Sequence, residues 1–253
     1  MNDSIPISNL ADATEHIASA QNPVVFVVDK GDVNICGPVL DGVFGYRVGD
    51  KEPNLAGMLR DFRDYESQQG RTPLVFVLEG VSIGPSTREP PATAWVVHAT
   101  DHSAGDSILT SGQLCSRHCL HEHGLTYRSF GRQDLGEPPD YGDLINFAPI
   151  EQPGPELVVA SKQHQRFCSV TDSYTPGMRF YFRVDSLMAH PSYIAFLGGH
   201  AVRGYMRLAE VEHCVVSASE LDESVTWTPN TFTRAADSLF KKRISNQAVE
   251  ATS

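Results

Sequence analysis

Residues 95–100 (WVVHAT), followed by residues 107–112 (SILTSG), decide how the rest of the chain is interpreted. The apolar, β-branched and aromatic residues at 94–97 predict a strand. His98 and Thr100 come at the end of that strand, where their side chains can form hydrogen bonds. A strand that ends in these two residues, with a helix leaving at once, places them at the edge of a cleft.

The residues after the strand predict a short helix with defined ends. Asp101 or Ser103 is a suitable N-cap, because each side chain can accept a hydrogen bond from a backbone N–H of the first turn. Gly112 is a suitable stop, because glycine adopts the left-handed conformation at helix ends without steric strain.

Composition limits the class of protein. The 253 residues are 41% hydrophobic and 20% charged, with a formal net charge of -11. That acidity argues against a general binder of nucleic acids or anionic membranes, since phosphate contacts depend on Lys and Arg. We find neither a secretory signal nor an apolar run of the roughly 20 residues that span a bilayer. Five irregularly spaced cysteines are typical of reduced thiols, which predicts an intracellular protein, cytoplasmic or nuclear.

The sequence predicts three parts: a small α/β unit at 1–90, a central domain at 91–220 and a C-terminal helix and tail at 221–253. Apolar runs at 23–29 and 73–79 predict buried strands, and the amphipathic stretch 54–69 between them predicts a helix. We expect a further helix at 8–20 capped by Ser8, a loop or irregular strand at 31–53, a linker at 84–91 and a helix at 233–244.

Further motifs between residues 94 and 217 carry a family resemblance. Residues 141–148 (YGDLINFA) and 212–216 (EHCVV), together with the His98 stretch, resemble strands of poly-ADP-ribose-polymerase-type domains. Residues 178–185 (MRFYFRVD), followed by 193–196 (YIAF) and 200–202 (HAV), resemble the end of RNA 2′-phosphotransferases. Both belong to the NAD-consuming ADP-ribosyltransferase superfamily, and the resemblance covers about half of the chain.

The resemblance implies an α+β fold in which split antiparallel sheets form an NAD-binding cleft, preceded by the small α/β unit. It implies transfer of ADP-ribose from NAD to an acceptor, which is RNA or protein. In this family the residue matching His98 binds ribose, and the glutamate matching Glu212 stabilises charge on the nicotinamide ribose. The implied cofactor-binding residues are His98, Thr100, Gly112, Arg128, Tyr141 and Phe147, and the implied catalytic residues are His98, Glu212 and Arg132. Arg128 and Arg132 would bind the pyrophosphate.

Several positions differ from the family patterns. Ala99 replaces the usual glycine, Val97 stands where the phosphotransferases have arginine, and Gly198 stands in place of a second phosphate-binding arginine. Asp and Glu outnumber Lys and Arg between residues 91 and 220, so no extended RNA surface is evident. Three functions stay open: a 2′-phosphotransferase-like enzyme, a mono-ADP-ribosyltransferase acting on protein or nucleic acid, and an inactive module that binds NAD or ADP-ribose.

Residues 115–123 (CSRHCLHEH) predict an alternative, a zinc-stabilised interaction module. Thiolate and imidazole groups suit zinc, and a structural site uses four of them. The candidate ligands are Cys115, Cys119, His121 and His123. Zinc sites usually draw their ligand pairs from two separated places, and no second pair follows in the sequence. The simpler interpretation of the same residues is a histidine-rich loop without metal, and we prefer it.

Overall fold

A computed structural model describes residues 4–31, 34–40, 43–52, 54–81, 83, 94–125, 138–222 and 224–250. The linker predicted at 84–91 lies outside these residues, as do Arg128 and Arg132. The chain divides into two compact units. The first unit contains Met1–Ala92, Arg132–Tyr141 and Ala195–Gly199, and the second contains Thr93–Gly131, Gly142–Ile194 and His200–Ser253.

The first unit has a five-stranded sheet in the order β1-β5-β2-β4-β3. Its strands are β1 (Ser4–Ile7), β2 (Pro23–Asp29), β3 (Asn34–Leu40), β4 (Val43–Gly49) and β5 (Thr72–Leu78), and its helices are α1 (Thr14–Ser19) and α2 (Leu55–Gln68). Neighbouring strands are parallel except for β3, which pairs antiparallel with β4. The predicted strands at 23–29 and 73–79 and the helix between them are therefore confirmed, with ends shifted by one residue.

Two local predictions for this unit were only partly right. Residues 31–53 were expected to be loop or irregular strand; they contain β3, whose pairing with β4 shifts register between Pro38 and Leu40, and the strand β4. At Gly45 of β4 a Cβ would lie 2.1 Å from the carbonyl oxygen of Val25, so glycine is what lets β4 pair with β2. Because this glycine also weakens the apolar pattern, the sequence did not predict β4. The N-terminal helix is capped by Asn9 instead of Ser8, and it begins as a 3-10 turn, Leu10–Ala13.

The segment 195–199 is fixed within the first unit by α2. The amide of Asn54 donates to the carbonyl of Gly198, and the N–H of Gly198 donates to the carboxylate of Asp61, both over 2.8 Å. Gly198 has φ +71°, and a Cβ at this position would lie 2.4 Å from the Asn54 amide nitrogen. Conformation and space therefore both require glycine at this turn.

The second unit is α+β with antiparallel pairing, as predicted at the level of fold class. Its elements are β6 (Trp95–Thr100), α3 (His102–Ser111), β7 (Gln113–Cys115), α4 (Arg117–Glu122), β8 (Leu144–Pro149), α5 (Gly154–His164), β9 (Met178–Arg183), α6 (Val184–Met188), β10 (Tyr193–Phe196), β11 (Gly199–Arg203), β12 (Tyr205–Arg207), β13 (His213–Ser217) and α7 (Pro229–Glu250). The end of β10 and the first residue of β11 fall within the segment 195–199 of the first unit. Six strands form one sheet in the order β10-β11-β8-β6-β9-β13, and β12 pairs with β7.

Alternation along β6 and β9 sorts side chains to the two faces of this sheet. Val96, Phe180 and Phe182 belong to the core that includes Leu114 of β7, whereas Val97 and Tyr181 belong to the core formed with α5 and α7. The predicted C-terminal helix is longer than residues 233–244, because Thr228 and Thr231 exchange hydrogen bonds that cap the helix at Pro229.

A buried charged network joins β9 to α5 and α7. Arg179 has no exposed surface; it forms an ion pair with Glu156 of α5 and donates to Asp237 of α7 over 3.1 Å. Tyr181 donates to the same carboxylate over 2.8 Å. Burial raises the pKa of Glu156, and the neighbouring Arg179 guanidinium opposes this shift.

Within the described part of the chain, the helices lack the combination of length and apolar character required to cross a bilayer.

Candidate functional site

The candidate site lies where β6 and β8 separate. The two strands pair through Val96 with Pro149 and through Val97 with Ala148. β6 pairs with β9 from Trp95 to Thr100, and residues 144–147 of β8 pair with β11, but no backbone pairing joins residues 98–100 of β6 to β8. We call this unpaired interval between the end of β6 and the start of β8 the gap.

His98 occupies the narrow end of this gap. Its Nδ1 lies 3.2 Å from the carbonyl oxygen of Asn146 on β8. A carbonyl oxygen only accepts, so Nδ1 carries the proton and donates it. Burial lowers the pKa of His98 to about 4. The hydrogen bond with Asn146 raises this pKa, whereas the nearby charge of Lys162 lowers it further. His98 is therefore neutral at pH 7, with Nε2 as a hydrogen-bond acceptor.

The predicted helix after β6 is confirmed with both of its caps. The Asp101 carboxylate accepts from the N–H of Ala104 over 2.8 Å, and Gly112 ends α3 with φ +68°. The carbonyl of Gly112 also accepts from the N–H of Leu208 over 2.8 Å. Gly112 therefore ends α3 and holds the backbone at Leu208 in place.

Thr100 is 9% exposed, and its hydroxyl has no hydrogen-bond partner among the described residues. An unpaired buried hydroxyl costs about 1–3 kcal/mol, so such groups usually have a partner. The strand end that carries Thr100 is fixed by Gly177, which packs against the backbone of residues 100–102. The structure therefore offers a polar group at the end of β6 that a ligand could satisfy.

Lys162 acts electrostatically on His98 at this strand end, and Arg117 acts in turn on Lys162. Lys162 is on α5, which packs against β6, and its charge acts on His98. Burial lowers the pKa of Lys162; Arg117, the first residue of α4, lowers it further, while Asp101 raises it. A bound anion would offset the repulsion between Lys162 and Arg117.

Sequence reasoning missed both of these cations. Lys162 is an ordinary residue near the end of a helix, and Arg117 lies inside the stretch interpreted as a metal loop. A single sequence carries no signal that joins them, because the contact depends on how α4 and α5 pack around β6. They are a different pair from the predicted Arg128 and Arg132, which lie outside the described residues.

Phe147 supports His98 from within the core. It is 5% exposed, and its ring lies 6.1 Å from the His98 ring in an edge-to-face arrangement. The Phe182 ring also packs edge-to-face against Phe147, with the ring centroids 5.2 Å apart. The structure therefore brings the predicted residues Phe147 and His98 into contact.

Glu212 is not brought close to His98. It precedes β13, and its exposed carboxylate lies 3.7 Å from the guanidinium of Arg183. Arg183 pairs with Trp95, three residues from His98 along β6. This places Glu212 two strands away and about 10 Å further along the sheet. The spacing of the motifs in the sequence could not show this separation, because spacing does not determine which end of β13 lies nearer to the gap.

Tyr141 belongs to the first unit, whereas His98 belongs to the second. The Tyr141 hydroxyl donates to Glu66, which is fully buried in α2 and also binds Arg71. Arg71 in turn donates to Asp140 over 2.7 Å. Tyr141 itself lies in a 3-10 turn, Pro139–Asp143, just before β8. The strand expected from the motif at 141–148 therefore begins only at Leu144.

The alternative four-ligand zinc site is not assembled. Ser116 caps α4, and the helix brings the Cys119 sulfur within 3.7 Å of His123, four residues later. His121 is only two residues from Cys119, so the two side chains point to different sides of the helix. Across the described residues, no group of three or more His, Cys, Asp and Glu side chains could hold a metal ion.

Comparison with known proteins does not identify a family. No protein-family model, no curated protein and no solved structure matches this chain. The resemblance to ADP-ribosyltransferases therefore stays a prediction that rests on the motifs quoted above.

Proposed function

We propose that the second unit binds NAD in the gap between β6 and β8 and transfers ADP-ribose from it to an acceptor. The observation that carries this proposal is the grouping at the end of β6. Neutral His98, the unpaired hydroxyl of Thr100 and the cation Lys162 belong to one strand end and the helix packed on it.

The residues present suit a dinucleotide. Ribose hydroxyls donate hydrogen bonds, and Nε2 of neutral His98 can accept one. The Thr100 hydroxyl would gain the partner it lacks. Lys162 and Arg117 suit a pyrophosphate, since both supply charge-assisted donors.

NAD would supply an ADP-ribose group on a nicotinamide leaving group, and the chain would orient it. His98 and Thr100 would hold the ribose, and the two cations would fix the phosphates so that the glycosidic bond faces the acceptor. Positioning of this kind accounts for a large part of the barrier reduction in many enzymes. The acceptor, a 2′-phosphate of RNA or a group on a protein, is not specified by these contacts.

The proposal is tested by calorimetric titration of the purified chain with NAD, with nicotinamide release followed by chromatography on the same sample. We expect wild-type protein to bind NAD and to release nicotinamide. His98→Ala should lose both. Lys162→Met should weaken NAD binding about ten- to a hundredfold, the effect of removing a hydrogen bond to a charged group.

Lys242→Met provides a matched control, because Lys242 is an exposed lysine on α7. It should bind NAD with wild-type affinity. Absence of binding at millimolar NAD in the wild-type chain would contradict the proposal. Equal weakening by Lys162→Met and Lys242→Met would show that only net charge matters, and this would also count against a specific phosphate site.

A second candidate function, an NAD-binding module without turnover, is favoured by the position of Glu212. The carboxylate expected to stabilise the ribose cation pairs with Arg183 at the far end of the sheet. The same titration separates the two candidates: binding without nicotinamide release, in the presence of water as acceptor, would favour the inactive module.

A further inference from the structure

His118 and Asp143 form a hydrogen-bonded pair beside the gap. His118 is the second residue of α4, and Asp143 directly precedes β8. The His118 Nδ1 lies 2.9 Å from a carboxylate oxygen of Asp143. A carboxylate only accepts, so Nδ1 carries a proton, and Nε2 of the neutral ring keeps a lone pair.

The surroundings hold this imidazole in one orientation while leaving it accessible. A Cβ on Gly142 would lie 2.4 Å from Nε2 of His118, so the ring rests directly on the backbone there. Arg203 lies 3.6 Å from the other carboxylate oxygen of Asp143. The His118 side chain is 46% exposed, so a ligand can reach it.

Backbone hydrogen bonds fix the two elements that carry the pair. The N–H of Gly204 donates to the carbonyl of Asp143, and the N–H of Ser116 donates to the carbonyl of Gly204, both over 2.7 Å. Ser116 also caps α4 through its hydroxyl. The start of α4 and the start of β8 are therefore linked independently of the His118–Asp143 bond.

The pair is connected to both sides of the gap. Arg117, the neighbour of His118, acts electrostatically on Lys162 beside the end of β6. Asp143 lies three residues before Asn146, whose carbonyl binds His98, which corresponds to about 10 Å along the strand. A dinucleotide that contacts His98 and extends about 10 Å along β8 would reach Asp143 and the imidazole that it orients.

We propose that His118, oriented by Asp143, accepts the proton of the acceptor nucleophile; this rests on the proposed function. The glycosidic C–N bond of NAD breaks and nicotinamide leaves with the electron pair. The acceptor oxygen forms a bond to the ribose carbon, and its proton moves to Nε2 of His118. The acceptor is then a hydroxyl-bearing group, with water as the simplest case, instead of a phosphate that is already deprotonated.

The first test compares nicotinamide release in water by wild-type protein and His118→Ala. A general base contributes about 10²–10⁴-fold, so we expect the rate to fall at least about a hundredfold. Added imidazole should restore part of the rate, which a purely structural loss would not allow. His118→Gln and the thermal unfolding of each variant show whether the chain still folds.

His102→Ala is the matched control, because His102 also pairs with an aspartate, Asp106, at 2.9 Å. It should release nicotinamide at the wild-type rate. The second test needs no NAD: nitrogen-15 spectra of the free protein should show a proton on Nδ1 of His118, and Asp143→Asn should change this tautomer balance.

The outcomes separate the two proposals. A wild-type chain without nicotinamide release overturns the transferase and the base together. Wild-type release that His118→Ala matches overturns the base alone, and so does a loss that imidazole does not rescue in a folded variant. A proton on Nε2 of His118 in the free protein also overturns it.

Discussion

Gly177 lies so close to Thr100 that a Cβ on Gly177 would be 2.3 Å from the carbonyl oxygen of Thr100. The same hypothetical atom would be 2.4 Å from the backbone nitrogen of His102. Backbone atoms cannot move aside as a flexible side chain can. The first turn of α3 and the end of β6 are thus positioned by the absence of a side chain at residue 177.

We therefore expect Gly177→Ala to destabilise the protein by about 3 kcal/mol, the upper part of the usual range for overpacking. Urea unfolding measures this change. Gly154→Ala is the control, because a Cβ at Gly154 meets no atom within 4 Å at the start of α5. It should change stability by less than about 1 kcal/mol. Equal stability of the two variants would contradict the packing described for Gly177.

His98 should titrate with an apparent pKa near 4, well below the usual value of about 6.5. The folded state binds this proton less readily than the unfolded state does. The stability that neutral His98 provides is therefore complete above about pH 6.5 and decreases as the pH falls towards 4. Histidine proton spectra give the pKa directly, and a midpoint near 6.5 would contradict the burial of this ring.

Substitution of His98 should also change how stability depends on pH. In His98→Gln the loss of stability between about pH 6.5 and 4 should be smaller than in the wild type. Urea unfolding at several pH values measures both slopes, and equal slopes in the two proteins would contradict the prediction.

Arg179→Met should destabilise the protein by about 3–5 kcal/mol, because it leaves Glu156 and Asp237 buried without their cation. Arg183→Met is the matched control on the same strand. Arg183 is 43% exposed and contacts its carboxylates at 3.7 Å, so its loss should change stability by about 0–1 kcal/mol. Similar unfolding midpoints for both variants would show that the buried network contributes little.

Tyr141→Phe should lower stability by about 1–3 kcal/mol, since the buried carboxylate of Glu66 loses a donor. Tyr205→Phe, at a position 49% exposed, should leave the unfolding midpoint unchanged. An unchanged midpoint in Tyr141→Phe would show that Arg71 alone satisfies Glu66.

Elements with strong local signals were predictable from the sequence. The apolar runs that became β2 and β5, the amphipathic α2, and α3 with its Asp101 and Gly112 caps all follow from patterns within a few residues. The strand β4 was missed because its glycine and polar residues weaken the apolar pattern. Its burial depends on pairing with β2, which a local pattern does not encode.

The candidate site was predictable only where its residues are neighbours in sequence. His98 and Thr100 share one strand, so their proximity followed directly. Lys162, Arg117 and the His118–Asp143 pair are brought together by the packing of α4, α5 and β8. Conversely, the resemblance joined Glu212 to His98, although the antiparallel register places them at different ends of the sheet.

The first unit is assembled from three separate stretches of chain, and this affects the order in which it can form during synthesis. Asp61 binds Gly198, a partner 137 positions later, and Glu66 binds Tyr141, 75 positions later. Both carboxylates leave the ribosome well before their partners exist. An N-terminal fragment that ends near residue 92 would keep these carboxylates without those donors. The first unit, although its N-terminal stretch is synthesised first, is thus completed only after most of the second unit has been translated.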